Sequence, residues 1–141
     1  NNLSGKWKTV KTMTMDANFN QTWLNKEELK EKLIKEGQDE EYIQERMNEF
    51  SEIIEFGENQ IMRLYKPMPE GITQQELDEA AKDGIKIIDG MFCVEESYVE
   101  KDGQACLIIG TNTKTGEPEV IPLTISDDGT VELVSRLIAR L

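Results

Sequence analysis

Turn-forming residues divide the second half of the chain into short segments of similar length. From position 89 onward a two-residue turn signal recurs every 13 residues, at Asp89-Gly90, Asp102-Gly103, Thr115-Gly116 and Asp128-Gly129. Glycine accepts a positive φ and aspartate tolerates one, so each pair indicates a reversal between antiparallel strands. The β-prone segments around these turns predict strands at 85–88, 92–99, 105–111, 120–125 and 131–138.

The first half of the chain adds three strands by the same reasoning. Residues 52–56 and 60–65 form a predicted hairpin around Gly57, and residues 6–14 form the first strand. Eight strands joined mostly by tight turns lose their exposed edges when the sheet closes on itself. A barrel of that size holds packed side chains or one small ligand.

The periodicity changes between residues 25 and 50, which predict two amphipathic helices. Asn25 and Glu28 fit a capping box, Leu29 and Leu33 stand one turn apart, and Gly37 is the expected C-terminal cap. The second helix presents one continuous face, made by Tyr42, Ile43, Arg46, Met47 and Phe50. We expect this helical hairpin to form a lid over the sheet.

A third, shorter helix is predicted after Pro69, at about 73–82. Thr73 and Glu76 form its cap pair, and Gly84 ends it. Its expected buried side consists of Leu77, Ala80 and Ala81.

These elements predict a mainly β fold. It is an up-and-down antiparallel β-barrel of about eight strands, with a helical hairpin inserted after strand 1 and a short helix before strand 4. A length of 141 residues fits a single domain spanning 1–141. The chain is 38% hydrophobic and 31% charged, which is typical of a globular protein with a core.

The net charge of −12 argues against nucleic acid as a partner, because phosphate binding needs clustered lysine and arginine. No apolar run approaches the roughly 20 residues that cross a bilayer, so we expect no integral membrane segment. The first residues lack the apolar stretch of a signal peptide. The sequence slightly favours a cytoplasmic location, and an exported form with a removed leader stays open. A protein partner stays unknown.

The residue types speak against an enzyme, a metal site and a cofactor. Without histidine there is no Ser-His or Cys-His nucleophile pair and no histidine metal ligand. No glycine-rich phosphate loop occurs. Neighbouring carboxylates such as Glu95-Glu96 point to opposite faces of a strand, and Asp127-Asp128-Gly129 lacks the alternating ligands of a calcium loop.

The two cysteines, Cys93 and Cys106, lie in predicted strands on either side of one hairpin turn. A cross-strand disulfide and two buried free thiols are both open, and the thiols are favoured.

One short motif resembles a known superfamily. Gly5-Lys6-Trp7-Lys8, at the start of the first strand, is similar to the Gly-x-Trp signature of calycins, the superfamily of lipocalins and fatty-acid-binding proteins. A first strand, then a helical hairpin, then the strand pair at 52–65 also resembles the fatty-acid-binding proteins. The chain differs from them in its third helix and in having eight predicted strands instead of ten.

The resemblance implies a structural role for Trp7, packed across one end of the barrel beneath an arginine of the last strand. Arg136 and Arg140 are the candidates. For both arginines three placements are open: exposure to water, packing at the barrel end, and contact with a ligand.

The resemblance also implies a cavity that binds a hydrophobic or amphipathic molecule without catalysis. Arg63 and Tyr65 share one strand face, Phe92 and Tyr98 share another, and either face is a candidate lining. For the first face, core packing with the guanidinium of Arg63 reaching out to water is the favoured alternative. Helix residues that serve as ordinary core or as a ligand portal are Tyr42, Met47 and Phe50. The expected function is binding of a small, fatty-acid-like ligand in the barrel. The alternative is a filled barrel that acts as a protein-interaction module.

Overall fold

The computed structural model describes residues 3–102 and 104–141, without the side chain of Asn59. In this part of the chain there are ten strands and three α-helices. The helices are α1 (Lys26–Lys35), α2 (Glu40–Asn48) and α3 (Gln74–Lys82). The strands are β1 (Gly5–Met15), β2 (Gln21–Leu24), β3 (Ile53–Phe56), β4 (Ile61–Pro67), β5 (Lys86–Ile88), β6 (Met91–Lys101), β7 (Gln104–Thr111), β8 (Pro118–Pro122), β9 (Val131–Leu133) and β10 (Arg136–Arg140).

The strands form one curled antiparallel sheet, a half-barrel. Eight of them follow the order β8-β7-β6-β4-β3-β1-β10-β9, while β2 pairs with β1 and β5 pairs with β6. The mainly β, antiparallel fold with a helical hairpin and a third helix is therefore confirmed. Among the described residues, an isolated bridge joins Ile125, in the connection that follows β8, to Val131 of β9.

The predicted turns explain most of the strand boundaries. Asp89 and Gly90 both have positive φ, 53° and 74°, as a two-residue hairpin loop between Ile88 and Met91 requires. Gly116 and Gly129 also have positive φ. The predicted Asp102-Gly103 turn includes Gly103, which lies outside the described residues.

The predicted strand at 131–138 is wrong, because it is two strands, β9 and β10. They form a tight hairpin in which Leu133 pairs with Arg136 and Val134 has a φ of 58°. An uninterrupted strand would place Val131 and Leu133 on the face opposite Ile138. The hairpin instead brings all three side chains into the same apolar core.

The helix ends follow the capping residues of the sequence. Asn25 and Glu28 form a capping box for α1, and Thr73 and Glu76 form one for α3. Gly37 has a φ of 75° just beyond the end of α1, where its N–H donates to the carbonyl of Ile34.

The predicted buried side of α3 is not buried. Leu77 and Ala80 are half-buried and Ala81 is exposed. The helix lies in the connection between β4 and β5 and contributes to neither of the two apolar clusters of the fold. The amphipathic pattern therefore predicted the helix correctly, but the burial that it predicted for the apolar side of α3 is wrong.

Most buried apolar residues of the described part of the chain belong to one of two separate clusters. The larger fills the half-barrel and contains Trp7, Phe56 and Tyr98, with Phe56 in edge-to-face contact with both other rings. The smaller joins Leu29 and Leu33 of α1 to Met47 of α2. The helical hairpin thus has a small core of its own.

Both cysteines are free thiols and buried. Cys106 pairs across the sheet with Val99, six residues along β6 from Cys93. At about 3.3 Å per residue this separates the two positions by roughly 20 Å, too far for a disulfide.

Two prolines remove hydrogen-bond donors from the free edge of the end strand β8. The N–H of Leu123 donates to Ala105 of β7, and the N–H of Asn112 donates to Glu117. Backbone groups alternate in direction along a strand, so the nitrogens of Pro118 and Pro122 face away from β7. Proline removes a donor there, which discourages pairing with another strand.

In the described residues, no helix has both the length and the apolar character needed to cross a membrane.

Candidate functional site

Three neighbouring strands change from apolar to polar along their inward face. Inward residues alternate with outward ones, so positions two apart share a face. Apolar Trp7, Ile54 and Ile138 belong to the core of the half-barrel. The next inward residues on the same strands, or just before them, are polar: Thr9 on β1, Glu52 before β3 and Arg136 on β10. We call these two regions the Trp7 end and the Arg136 end.

Arg136 is the centre of the polar region. Its Nη1 donates to Thr9 Oγ1 at 3.2 Å and to Glu52 Oε1 at 3.4 Å. Its Nη2 lies 3.9 Å from Glu49 Oε1. Charge-assisted N–H···O bonds are usually about 2.7–2.9 Å long, so both ion pairs of this guanidinium are loose.

Glu52 is the buried partner of Arg136. Its side chain is 7% exposed, against 30% for Glu49. Burial raises the pKa of the Glu52 carboxyl above its usual value, because the charged form loses hydration. The neighbouring charges of Arg136 and Lys66 act in the opposite direction and lower this pKa.

Thr12 adds an unsatisfied polar group nearby. It is buried and pairs across the sheet with Arg136. Among the described residues, its hydroxyl is the buried side-chain polar atom without a hydrogen-bond partner. Such a group costs about 1–3 kcal/mol unless water or a ligand satisfies it.

A cleft of about 270 Å³ opens beside these residues. Three acidic and two basic side chains lie among its lining residues, which are Glu45, Asn48, Glu49, Glu52, Lys66, Pro67 and Arg136. A second cleft of about 550 Å³ shares Asn48 and Pro67 with the first and continues past Met68 and Pro69. The two clefts together form a groove, charged at the Arg136 end and partly apolar beyond Pro67.

The other candidate arginine, Arg140, lies at the Trp7 end. Its guanidinium carbon is 4.5 Å from the centre of the Trp7 ring, and its Nη1 donates to the carbonyl of Ser4 at 2.8 Å. Trp7 is fully buried and donates through its indole N–H to the carbonyl of Leu3. The two arginines of one strand face therefore occupy opposite ends of the half-barrel.

Arg63 and Tyr65, expected in a ligand lining, lie on the outer face of the sheet. Met62 packs in the core opposite Phe56, so its neighbour Arg63 points the other way. Arg63 pairs with Glu95 at 2.8 Å, and the hydroxyl of Tyr65 donates to Glu55 at 2.8 Å. Burial, followed by this bond to Glu55, raises the pKa of Tyr65 to about 12. Both side chains belong to a cross-strand polar network instead.

Of the remaining candidates, three lie in the apolar clusters and two lie outside them. Tyr98 is a core residue whose hydroxyl donates to the carbonyl of Gly57. Phe92 is half-buried and pairs with Lys66, next to the cleft. Met47 and Phe50 pack in the helical cluster, while Tyr42 is 38% exposed.

Sequence reasoning singled out Arg136 and missed the side chains around it. Glu52 has a signal, because Glu52, Ile54 and Phe56 alternate along one face into the core. Thr9 and Thr12 do not share a simple alternation, since a bulge between Thr9 and Lys11 shifts the register of β1. The place of Lys66 beside the cleft follows only from the pairing of β4 with its neighbouring strands, which the sequence does not reveal.

The described residues contain no group of three or more cysteine or acidic side chains arranged to hold a metal ion. No protein-family model, no curated protein and no solved structure matches this chain. The fold is compatible with a barrel-type superfamily, and the resemblance to calycins rests on the Gly-x-Trp motif and the order of elements.

Proposed function

We propose that this protein binds a small anionic amphiphile without catalysis, with the ligand's head group in the cleft at Arg136. The observation that carries this proposal is the environment of Arg136. A guanidinium with two loose ion pairs lies at a cleft of about 270 Å³, beside a buried hydroxyl that lacks a partner. Ligand sites commonly combine such a few polar groups with apolar walls.

The size of the cleft limits the head group and the position of the tail. At about 270 Å³, the cleft lies just below the usual size of small-molecule pockets, about 300–1,000 Å³. The interior of the half-barrel is filled by Trp7, Phe56 and Tyr98, which leaves the groove past Pro67 and Met68 for the tail. This geometry favours a short or medium chain over a long one.

A packed interior also favours the alternative, a filled half-barrel that acts as a protein-interaction module. Edge-to-face contacts of Phe56 with Trp7 and Tyr98 leave the Trp7 end tightly occupied. Under this alternative Arg136 has a purely structural role, and its replacement changes stability without changing the affinity for any amphiphile.

Displacement of a fluorescent anionic probe separates the two proposals. Anilinonaphthalene sulfonate is titrated into the protein and displaced with decanoate or with decylammonium, which has a similar tail and the opposite charge. We expect decanoate to displace the probe and decylammonium to do so poorly. Equal displacement by both would argue against an arginine-based head-group site.

Two matched variants locate the site. Arg136→Met removes the charge in the cleft, whereas Arg63→Met removes one on the outer face of the sheet. A charge-assisted hydrogen bond is worth about 1.5–3 kcal/mol, so Arg136→Met should weaken decanoate binding by about 10- to 100-fold. Arg63→Met should leave the affinity within about twofold, and a similar loss in both variants would contradict the proposal.

A further inference from the structure

The charges of the cleft pose a problem for an anionic ligand. Three carboxylates and two cationic side chains line it, so the lining carries one net negative charge when all five are ionised. Arg136, the deepest cation, already faces Glu52 and Glu49. An anion entering this arrangement competes with both carboxylates for the same guanidinium.

We propose that the cleft takes up one proton together with each anionic ligand, and that Glu52 carries this proton. The inference rests on the proposed function, which supplies the ligand. The proton comes from solvent when the anion binds and returns to solvent when the anion leaves. No covalent bond forms or breaks apart from the O–H bond of Glu52.

The geometry selects Glu52 from the carboxylates of the cleft. Its side chain is 7% exposed, while that of Glu49 is 30% exposed and Glu45 is exposed. A buried carboxylate depends on its cationic partner, and it becomes neutral when that partner is taken by another anion. Burial also raises the pKa of Glu52 in the free protein, which brings protonation closer to neutral pH.

The surroundings of Glu52 are compatible with this exchange. The charged groups that face it are Glu49 from the turn before β3, Arg136 from β10, Lys66 from β4 and Glu45 from α2. Protonation of Glu52 neutralises the lining and releases Nη1 of Arg136, which keeps its contact with Thr9. The neutral carboxyl then has an O–H that donates to an oxygen of the ligand.

Calorimetric titration of decanoate at one pH, in two buffers with different ionisation enthalpies, measures the proton directly. At pH 7 we expect an uptake approaching one proton per bound decanoate. The affinity for decanoate should then fall as the pH rises, by up to about tenfold per pH unit. The Glu52→Gln variant should bind decanoate with no proton uptake and with little dependence on pH. Glu55→Gln, which changes a carboxylate of the same strand on the outer face, should keep the uptake of the natural protein.

The outcomes distinguish the inference from the function on which it rests. Decanoate binding without proton uptake, or uptake that persists in Glu52→Gln, overturns the inference and leaves the proposed function standing. Absence of decanoate binding at every pH in both proteins overturns the proposed function and the inference with it. Should Glu52→Gln fail to fold, the ¹³C chemical shift of the Glu52 carboxyl in the natural protein decides. It should move towards the value of a protonated carboxyl when decanoate is added, and an unchanged shift overturns the inference.

Discussion

At the scale of single residues, two arginines of one short strand have different surroundings. Arg140 covers the buried Trp7 ring at 4.5 Å and donates to the carbonyl of Ser4. Arg136, two inward positions away with Ile138 between them, lies near Thr9, Glu52 and Glu49. One arginine therefore stabilises packing at the Trp7 end, and the other forms a charged site at the Arg136 end.

Replacing Arg140 should cost stability without affecting ligand binding. Arg140→Met loses a cation–π contact of about 0.5–1 kcal/mol and a hydrogen bond of about 1 kcal/mol. We expect the free energy of unfolding, measured with urea, to fall by about 1–2 kcal/mol. Lys114→Met, in an exposed loop, serves as the control and should change it by less than about 0.5 kcal/mol. Equal effects of the two variants would show that the contact with Trp7 contributes nothing.

Glu52 should make the free protein less stable as the pH rises. Burial raises its pKa in the folded state above the unfolded value of about 4.3, so the folded state binds the proton more tightly. The stability that this group contributes is therefore complete below the unfolded pKa and is lost as the pH rises through the folded pKa.

Unfolding of the natural protein and of Glu52→Gln at a series of pH values isolates this effect. Other shifted carboxyls, such as Glu95 with its lowered pKa, are common to both proteins and cancel in the difference. As the pH rises from about 4 to neutrality, where the unfolded carboxyl ionises first, we expect the free energy of unfolding of Glu52→Gln to increase relative to that of the natural protein. A difference that shrinks over this range would reverse the assigned direction.

At the scale of elements, the hairpin between β9 and β10 determines which side chains of β10 point into the core. Its loop places Val134 at a φ of 58°, in a region that β-branched residues rarely adopt, and leaves the side chain 64% exposed. Strain of this kind costs of order 1–3 kcal/mol and persists only when the surroundings enforce it. The core contacts of Val131, Leu133 and Ile138 supply that enforcement.

Relieving the strain should stabilise the protein. Asparagine tolerates a positive φ better than valine, so Val134→Asn should raise the free energy of unfolding by about 0.5–1 kcal/mol. Thermal unfolding followed by circular dichroism measures the change. Ile109→Asn is a matched control at a comparably exposed position on β7, without a positive φ. A stabilisation of the control as large as that of Val134→Asn would contradict the role assigned to strain.

At the scale of the whole molecule, the strand order of the described residues ends in β8 on one side and in β9 on the other, and these two strands are not neighbours in it. Pro118 and Pro122 remove the N–H groups that β8 would offer on its free side. The net charge of −12 adds repulsion between copies of the chain. An open half-barrel is thereby protected from pairing edge to edge.

Restoring a donor on this edge should promote self-association. Pro122→Val returns one N–H at an outward position and adds a residue with high β propensity. Sedimentation at increasing protein concentration should show more dimer or larger species than for the natural protein, and more still at high salt, where repulsion is screened. Glu119→Gln, a substitution on β8 that keeps both prolines, is the comparison. Unchanged sedimentation of Pro122→Val would show that the prolines do not protect the edge.

The sequence predicted the fold better than the site, for physical reasons that particular residues show. Asp-Gly turns and capping boxes act locally, so Asp89-Gly90 and Asn25 with Glu28 were readable from short segments. Val134 was misread because valine favours a strand and only tertiary contacts hold it in a turn. For Arg63, alternation along β4 does not say which face is inside, because Ile61 and Tyr65 form a partly apolar face like that of Met62 and Leu64, and only the pairing with β3 distinguishes the two faces.

The most direct test of a head-group site at Arg136 is a map of backbone amide shifts during titration with decanoate. We expect the largest shifts at residues around the cleft, which are Thr9, Glu52, Lys66 and Arg136, and further shifts at Met68. Shifts should be small at Arg63 on the outer face and at Arg140 at the Trp7 end. Shifts centred on the core residues Phe56 and Tyr98 would contradict a head-group site at Arg136. Shifts no larger than those caused by decylammonium would contradict it too.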